Sequence, residues 1–315
     1  MRALVISDMH FGAWTGDPVL AQRGGLAALE PALDGVDELV LLGDVFDFLF
    51  SSVDHAFEQA EPFFELVQRC MRGGRVVFTA GNHDHHIVVR AVRTAVEEKV
   101  VTGAYPREPR PGFFKRFLER RLEGVETRMV YPYYRVGDVL LAHGHYLDAH
   151  LGGSLPNRLQ ARATRTVGGL NGHGALTEED YEAVIVPLTE LLFTVAQLPR
   201  GCAVQMAFHE QFGRVGKVLR LASHLPHRRH EAPDLLAAFE QVVGNLGWKA
   251  DKIVFAHTHH SLDGVERGGV RYWNTGCWID EPGGGRPGSA VLVDTDREAP
   301  KLLELLRQPT GAAAA

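Results

Sequence analysis

The 315-residue sequence predicts an α/β fold. Three observations carry that expectation. Short apolar runs rich in β-branched residues recur along the chain with little alternation, as in strands buried on both faces. Amphipathic segments with helical spacing lie between several of them. Each run then stops abruptly in polar residues and glycine.

The first run, Ala3–Ser7, ends in Asp8; it is too short for the apolar core of a signal peptide and reads as a first strand. Leu39–Leu42 is the second. Ala56, Ala60, Phe63 or Phe64, and Val67 then keep the spacing of a helix face. Val76–Ala80 is the third strand, followed by helical spacing over Ile87–Lys99. Val139–Ala142 and Ile253–Ala256 are the fourth and fifth strands, and Leu235–Leu246 is a helix before the fifth. Val270–Trp273 and Ala290–Val293 read as closing strands. From about Leu151 to Gly247 only helical patterns broken by Gly and Pro occur. The expected organisation is one domain over residues 1–300, a helical insertion or cap at 151–247 within it, and a tail at 301–315.

Composition narrows the function classes. With 45% hydrophobic and 23% charged residues the chain is neither disordered nor collagen-like. The net charge of −6 offers little electrostatic help to a nucleic-acid-binding face. Cys70, Cys202 and Cys277 are odd in number and far apart, as free thiols in a reducing compartment would be. The longest apolar region, Ala183–Phe208, is interrupted by Pro187, Glu190, Pro199 and Arg200, which argues against a membrane span. A cytoplasmic protein is the expectation, with peripheral contact at the inner membrane face kept open. Sixteen histidines against three cysteines leave imidazole ligation of a metal, or acid–base chemistry, as the leading options.

The chemistry-bearing residues follow the strands: Asp8-Met9-His10, Gly43-Asp44-Val45-Phe46-Asp47, Gly81-Asn82-His83-Asp84, His143-Gly144-His145 and His257-Thr258-His259. Ligands of open α/β sheets bind outside the carboxyl ends of strands, so five such segments can converge. Their Asp, Asn and His donors suit hard to borderline divalent ions. Taken singly, Asp8, His10, Asp44 and Asn82 also suit turns, Asp47 a helix cap, and Asp84 a pin for its own loop.

In this order, the D-x-H, GD-x-x-D, GNHD, GH and H-x-H motifs resemble the calcineurin-like metallophosphoesterase superfamily. Ala256 stands where that family usually has glycine before its last motif, and Asn274-Thr275-Gly276-Cys277 resembles a downstream Asn-x-Gly-Ser segment with Cys277 replacing serine. The resemblance covers roughly residues 1–150 and 250–295. It implies a four-layer α/β/β/α sandwich of two packed mixed sheets, and a centre of two divalent ions (Mn, Fe or Zn). It assigns Asp8, His10 and His259 to one ion, Asn82, His143 and His257 to the other, and Asp44 to both. A metal-bridging hydroxide would attack phosphorus, with His83 as the catalytic histidine outside the metal shell and Asp47 orienting it.

The substrate is expected to be phosphorylated, a small molecule or lipid-linked. Arg158, Arg162 and Arg165, spaced to share one helix side, could clamp a second phosphate or form an ordinary solvated face. His145 is a further candidate for phosphate contact. The basic–aromatic run Phe113–Arg121 suits an anionic membrane surface or a core-packing helix with a basic flank. These features, with the helical insertion, resemble the UDP-2,3-diacylglucosamine pyrophosphatase branch. This sequence departs from that branch at His83, where arginine is frequent, and in its longer insertion. The alternative of another class is a non-catalytic metal-binding scaffold, but no expected ligand is missing. A metallo-β-lactamase-like hydrolase would need an H-x-H-x-D-H run, which is absent.

Overall fold

The computed structural model describes residues 1–89, 113–151, 155–170, 172, 174–204, 206–207, 232–281 and 285–306, without the side chains of 113, 155–159, 232 and 233. The chain falls into two compact units: residues 1–47, 55–145 and 249–315 form the first, and 48–54 with 146–248 the second.

The first unit is built on strands β1 (Arg2–Ile6), β2 (Asp17–Pro18), β3 (Glu38–Leu42), β4 (Arg75–Thr79), β5 (Glu126–Met129), β6 (Tyr133–Val136) and β7 (Val139–Ala142). It continues with β8 (Lys252–Phe255), β9 (Leu262–Arg267), β10 (Val270–Asn274), β11 (Ile279–Asp280), β12 (Ser289–Asp294) and β13 (Lys301–Glu304). One sheet has the order β13-β12-β1-β3-β4-β5, a second β6-β7-β8-β10-β9, and β11 pairs with β2 in a small ribbon. In the first sheet β1, β3, β4 and β5 run parallel, while β12 is antiparallel to β1. In the second, β7, β8 and β10 run parallel, flanked by antiparallel β6 and β9.

Burial on both faces explains the unbroken apolar runs. Ala3 and Val5 of β1, Val40 and Leu42 of β3 and Val77 of β4 share a core with Val139, Leu141, Val254, Ala256 and Trp273 of the second sheet. The two sheets therefore pack face to face. The alternate residues point the other way: Phe78 of β4 meets Phe114 of the helix Phe113–Arg121 at 4.6 Å between rings. The helix Val53–Cys70 buries Ala56, Ala60, Phe63, Phe64 and Val67, the spacing expected of its apolar side. Phe63, Phe64 and Val67 each contribute about 1.5–3 kcal/mol on burial, the two alanines less. This is a mixed α/β sandwich, as expected.

One detail differs from expectation. Residues 301–304 are not tail: Lys301–Glu304 pairs antiparallel with β12 at the sheet edge, its two leucines between charged, exposed ends being too short an apolar run to read. In the Phe113–Arg121 helix Phe114 and Leu118 are buried and Phe117 stacks on Phe57 at 4.2 Å, in keeping with the core-packing reading of this run. Most of the expected Ile87–Lys99 helix lies outside the described residues.

The second unit is helical among its described residues, with Leu155–Leu170, Glu178–Gln197 and Ala232–Leu246. A capping box starts the middle helix: Asp180 N–H donates to Thr177 Oγ1 at 3.3 Å, and Thr177 N–H donates to Asp180 Oδ2 at 2.8 Å. The Gln197 side chain ties its other end to Val53 and Ser51. Among the described residues no helix is long and apolar enough to cross a membrane.

Candidate metal centre

β1, β3 and β4 in one sheet, and β7 and β8 in the other, deliver their following loops to one edge of the sandwich. Backbone hydrogen bonds lace those loops together. Asp8 N–H donates to Gly43 O, and both Met9 and His10 N–H donate to Asp44 O. Ala256 N–H donates to His143 O, and Trp278 N–H to Asp8 O.

The local backbone is unusual. Six non-glycine residues have positive φ among those described, and five are Asp8, His10, Asp44, His257 and His259. A left-handed conformation costs an ordinary side chain roughly 1–3 kcal/mol and persists only where surroundings enforce it. Here it turns residues two apart, Asp8 with His10 and His257 with His259, toward the same region. Two motif glycines serve the same crowding. A Cβ on Gly81 would lie 2.2 Å from Asp44 Oδ1 and 2.6 Å from His143 Nε2, and one on Gly43 would lie 2.4 Å from His143 Nδ1.

The side chains form overlapping donor groups. Ligand atoms of Asp8, His10 and His259 lie within 4.8 Å of one another, as do those of Asp44, His143 and His257. Asp44 Oδ2 is 3.2 Å from His143 Nε2 and 3.8 Å from His10 Nε2, so it stands between the groups. His259 Nε2 is 3.3 Å from Asp8 Oδ1 and 3.1 Å from His10 Nε2. Two imidazole nitrogens this close need a proton or a cation between them. Among the described residues, Asp8 Oδ1, Asn82 Oδ1 and His143 Nε2 are buried and make no hydrogen bond. Buried polar atoms are rarely left so, and a metal would satisfy all three.

The neighbours set tautomers and charge. His143 Nδ1 lies 2.8 Å from Leu42 O, a geometry in which N–H donates and the Nε2 lone pair faces the cluster. His83 Nδ1 is 2.9 Å from Asp47 Oδ1. Burial opposes charge on Asp44, yet the His143 and His83 charges hold its pKa well below the usual range. Burial likewise works against protonated His83 and His143, but Asp47 and Asp44 raise the first to about 9, and Asp44 raises the second to about 9. Burial disfavours charge on His259 too, while Asp8 and Glu281 lift it to about 10. In each case carboxylates outweigh desolvation, so the site attracts positive charge.

Asp8, His10, Asp44, His143, His257 and His259 are thus brought together, with Asn82 and His83 on the adjoining loop. Asp47 caps no helix; it pairs with His83 and lies 3.8 Å from His10 Nδ1. Asp84 pins loops, accepting from Gly81 N–H at 2.7 Å and Val45 N–H at 2.8 Å. Burial first, and then Asp44, raises its pKa to about 7. His145 is buried and 3.3 Å from the Tyr131 hydroxyl, which also meets His85 at 3.1 Å. Arg162 and Arg165 are exposed on the second unit's first long helix, and the Arg158 side chain lies outside the described ones.

Motif reading missed Ser7, Thr275 and Glu281. Ser7 Oγ hydrogen-bonds Asp8 and lies 2.6 Å from Thr275 Oγ1. Glu281 Oε1 is 2.5 Å from His259 Nδ1. Only the Asn274–Cys277 segment hinted at this strip of chain.

Comparison with known proteins places these observations in context. Residues 1–261 match the family described as calcineurin-like phosphoesterases. No curated protein matches the chain. Among solved structures, a metallophosphoesterase from Sphaerobacter thermophilus is 14% identical over 94% of this chain and 84% of its own, with a TM-score of 0.34. A dimetal phosphatase from Danio rerio is 13% identical over 97% and 99%, with a TM-score of 0.41.

Proposed function

As the chain belongs to the calcineurin-like phosphoesterase family and is a metal-dependent phosphoesterase, we propose that its donor cluster holds two divalent ions and hydrolyses a phosphomonoester or phosphodiester. Asp8, His10 and His259 would hold one ion, Asn82, His143 and His257 the other, and Asp44 would serve both. A carboxylate between the two donor groups suits this place, because neighbouring dications would repel strongly without an anion between them. When bound, such ions activate water and neutralise phosphoryl oxygens. The observation that carries the reading is the trio of buried donor atoms on Asp8, Asn82 and His143 that make no hydrogen bond among the described residues.

His83 supplies the proton for the leaving oxygen. Its side chain is 21% exposed, against 1% for both His143 and Asp44, so it lies at the solvent side of the cluster. Asp47 accepts from His83 Nδ1–H, which fixes the ring and leaves Nε2 as the atom that moves the proton. The donor set of carboxylate, amide and imidazole suits manganese, iron or zinc.

The test is metal analysis together with a substrate panel. Purified protein should take up about two transition-metal ions per chain, as a two-metal site requires. Chelation should abolish hydrolysis of aryl mono- or diesters, and manganese should restore it. A nucleotide-diphosphate lipid, a phosphopeptide and single-stranded DNA complete the panel and separate the substrate classes. A protein that takes up no metal, or that cleaves equally well after chelation, would sink the proposal.

A further inference from the structure

Two of the metal-facing histidines, His143 and His259, are oriented through their second ring nitrogen by different means. His143 Nδ1 meets a main-chain carbonyl, Leu42 O, which no substitution removes. His259 Nδ1 meets a side chain, Glu281 Oε1, at 2.5 Å. From this pairing we infer that Glu281 is a positioning residue for the site, fixing His259 with Nε2 toward the ion that it shares with Asp8 and His10. The inference rests on the dinuclear reading above.

The placement of Glu281 is built into the fold. It follows directly on β11, whose Asp280 pairs with Asp17 and Ile279 with Pro18 of β2. One residue earlier Trp278 N–H donates to Asp8 O at 2.9 Å, while Val19 N–H donates to Trp278 O at 2.8 Å. The ribbon is thereby tied to the very loop that carries Asp8 and His10. Gly16 lets it approach: a Cβ there would lie 2.6 Å from Asp280 O and 2.9 Å from Glu281 Cβ. A salt bridge that merely decorated the surface would not need this close backing.

The orientation matters because His259 is held in a left-handed backbone (φ 57°), with Nε2 3.3 Å from Asp8 Oδ1 and 3.1 Å from His10 Nε2. Neutral imidazole carries one N–H. If Nδ1 bears it and donates to Glu281, the lone pair is on Nε2 and faces the ligands. Without the carboxylate the ring can adopt the other tautomer or rotate, and either removes a ligand. Partners of this outer kind are worth about 10–100-fold in metal affinity or activity.

The experiment compares wild type, Glu281→Ala and Glu281→Gln for metal retained per chain across a chelator series, with manganese as the probe. Glu281→Ala should lose one of two ions at chelator concentrations about 10–100-fold lower than wild type, the second being retained. Glu281→Gln, whose amide oxygen still accepts from Nδ1–H, should recover most of that loss. Activity of Glu281→Ala should return with excess manganese, as it would not for a lost proton donor. In a His259→Ala background, Glu281→Ala should add nothing, because its effect runs through that ring. Equal retention by wild type and Glu281→Ala, or an undiminished Glu281→Ala effect without His259, overturns the inference while leaving the two-ion reading intact. A wild type that binds no metal overturns both.

Discussion

Both ends of the sandwich bury a carboxylate, and they treat it differently. At the start of β3, Glu38 is paired in register with Arg75 of β4, which is itself opposite Glu126 of β5. Arg75 Nη1 and the Tyr134 hydroxyl both donate to Glu38 Oε2 at 3.1 Å. At the other end of the same strand, Asp44 is equally buried. The described ion pairs of Asp8, Asp44 and Asp47 are all with histidine. The backbone at Glu38 is regular strand, whereas at Asp44 it is left-handed. A permanent guanidinium closes a structural pair for good. Imidazoles offer nitrogen lone pairs instead, and leave room for a cation that can come and go.

Three substitutions sharpen that contrast. Asp44→Asn should have the largest effect: losing the shared carboxylate should lower kcat/KM by roughly a thousandfold, about 4 kcal/mol of transition-state stabilisation. An active Asp44→Asn protein would break the comparison at once. His83→Ala should cost roughly a hundredfold in turnover, the usual scale for a general acid, with metal content near normal. Loss of metal in that variant would show His83 to be a ligand instead. Glu38→Ala should behave in the opposite sense. It leaves Arg75 without its buried partner and should destabilise the fold by about 2 kcal/mol, less than a fully buried pair because the Arg75 side chain is 35% exposed. Denaturant unfolding would measure this, and kcat should be unchanged.

Much of the sandwich was legible in the sequence, for a definite reason. β1, β3, β4, β7 and β8 are buried on both faces, so their apolar runs are continuous. β5, β6, β9 and β13 were not legible. They lie at sheet edges, half exposed, and residues such as Glu126, Arg128, Arg135 and Glu266 break any pattern. The same rule separates the site residues. Asp8 with His10, Asp44 with Asp47, Asn82 with His83, and His257 with His259 lie a few residues apart on single loops, so a motif records them. Glu281 acts across 22 positions, and Ser7 reaches Thr275 across 268; no spacing records such contacts.

The sequence by itself determined the alternation of strands and helices, the residue types at each strand end and hence the class of chemistry. Those are local properties, written within one element and the turn that follows it. The family resemblance implied which donors group together and that Asp44 joins them; only the tertiary structure decided the distances, with Asp44 Oδ2 3.2 Å from His143 Nε2 and 3.8 Å from His10 Nε2, and that His259 leans on Glu281. Two sheets had to pack face to face, with parallel strands ending at one edge, before loops some 250 residues apart could place His10 and His259 nitrogens 3.1 Å from each other.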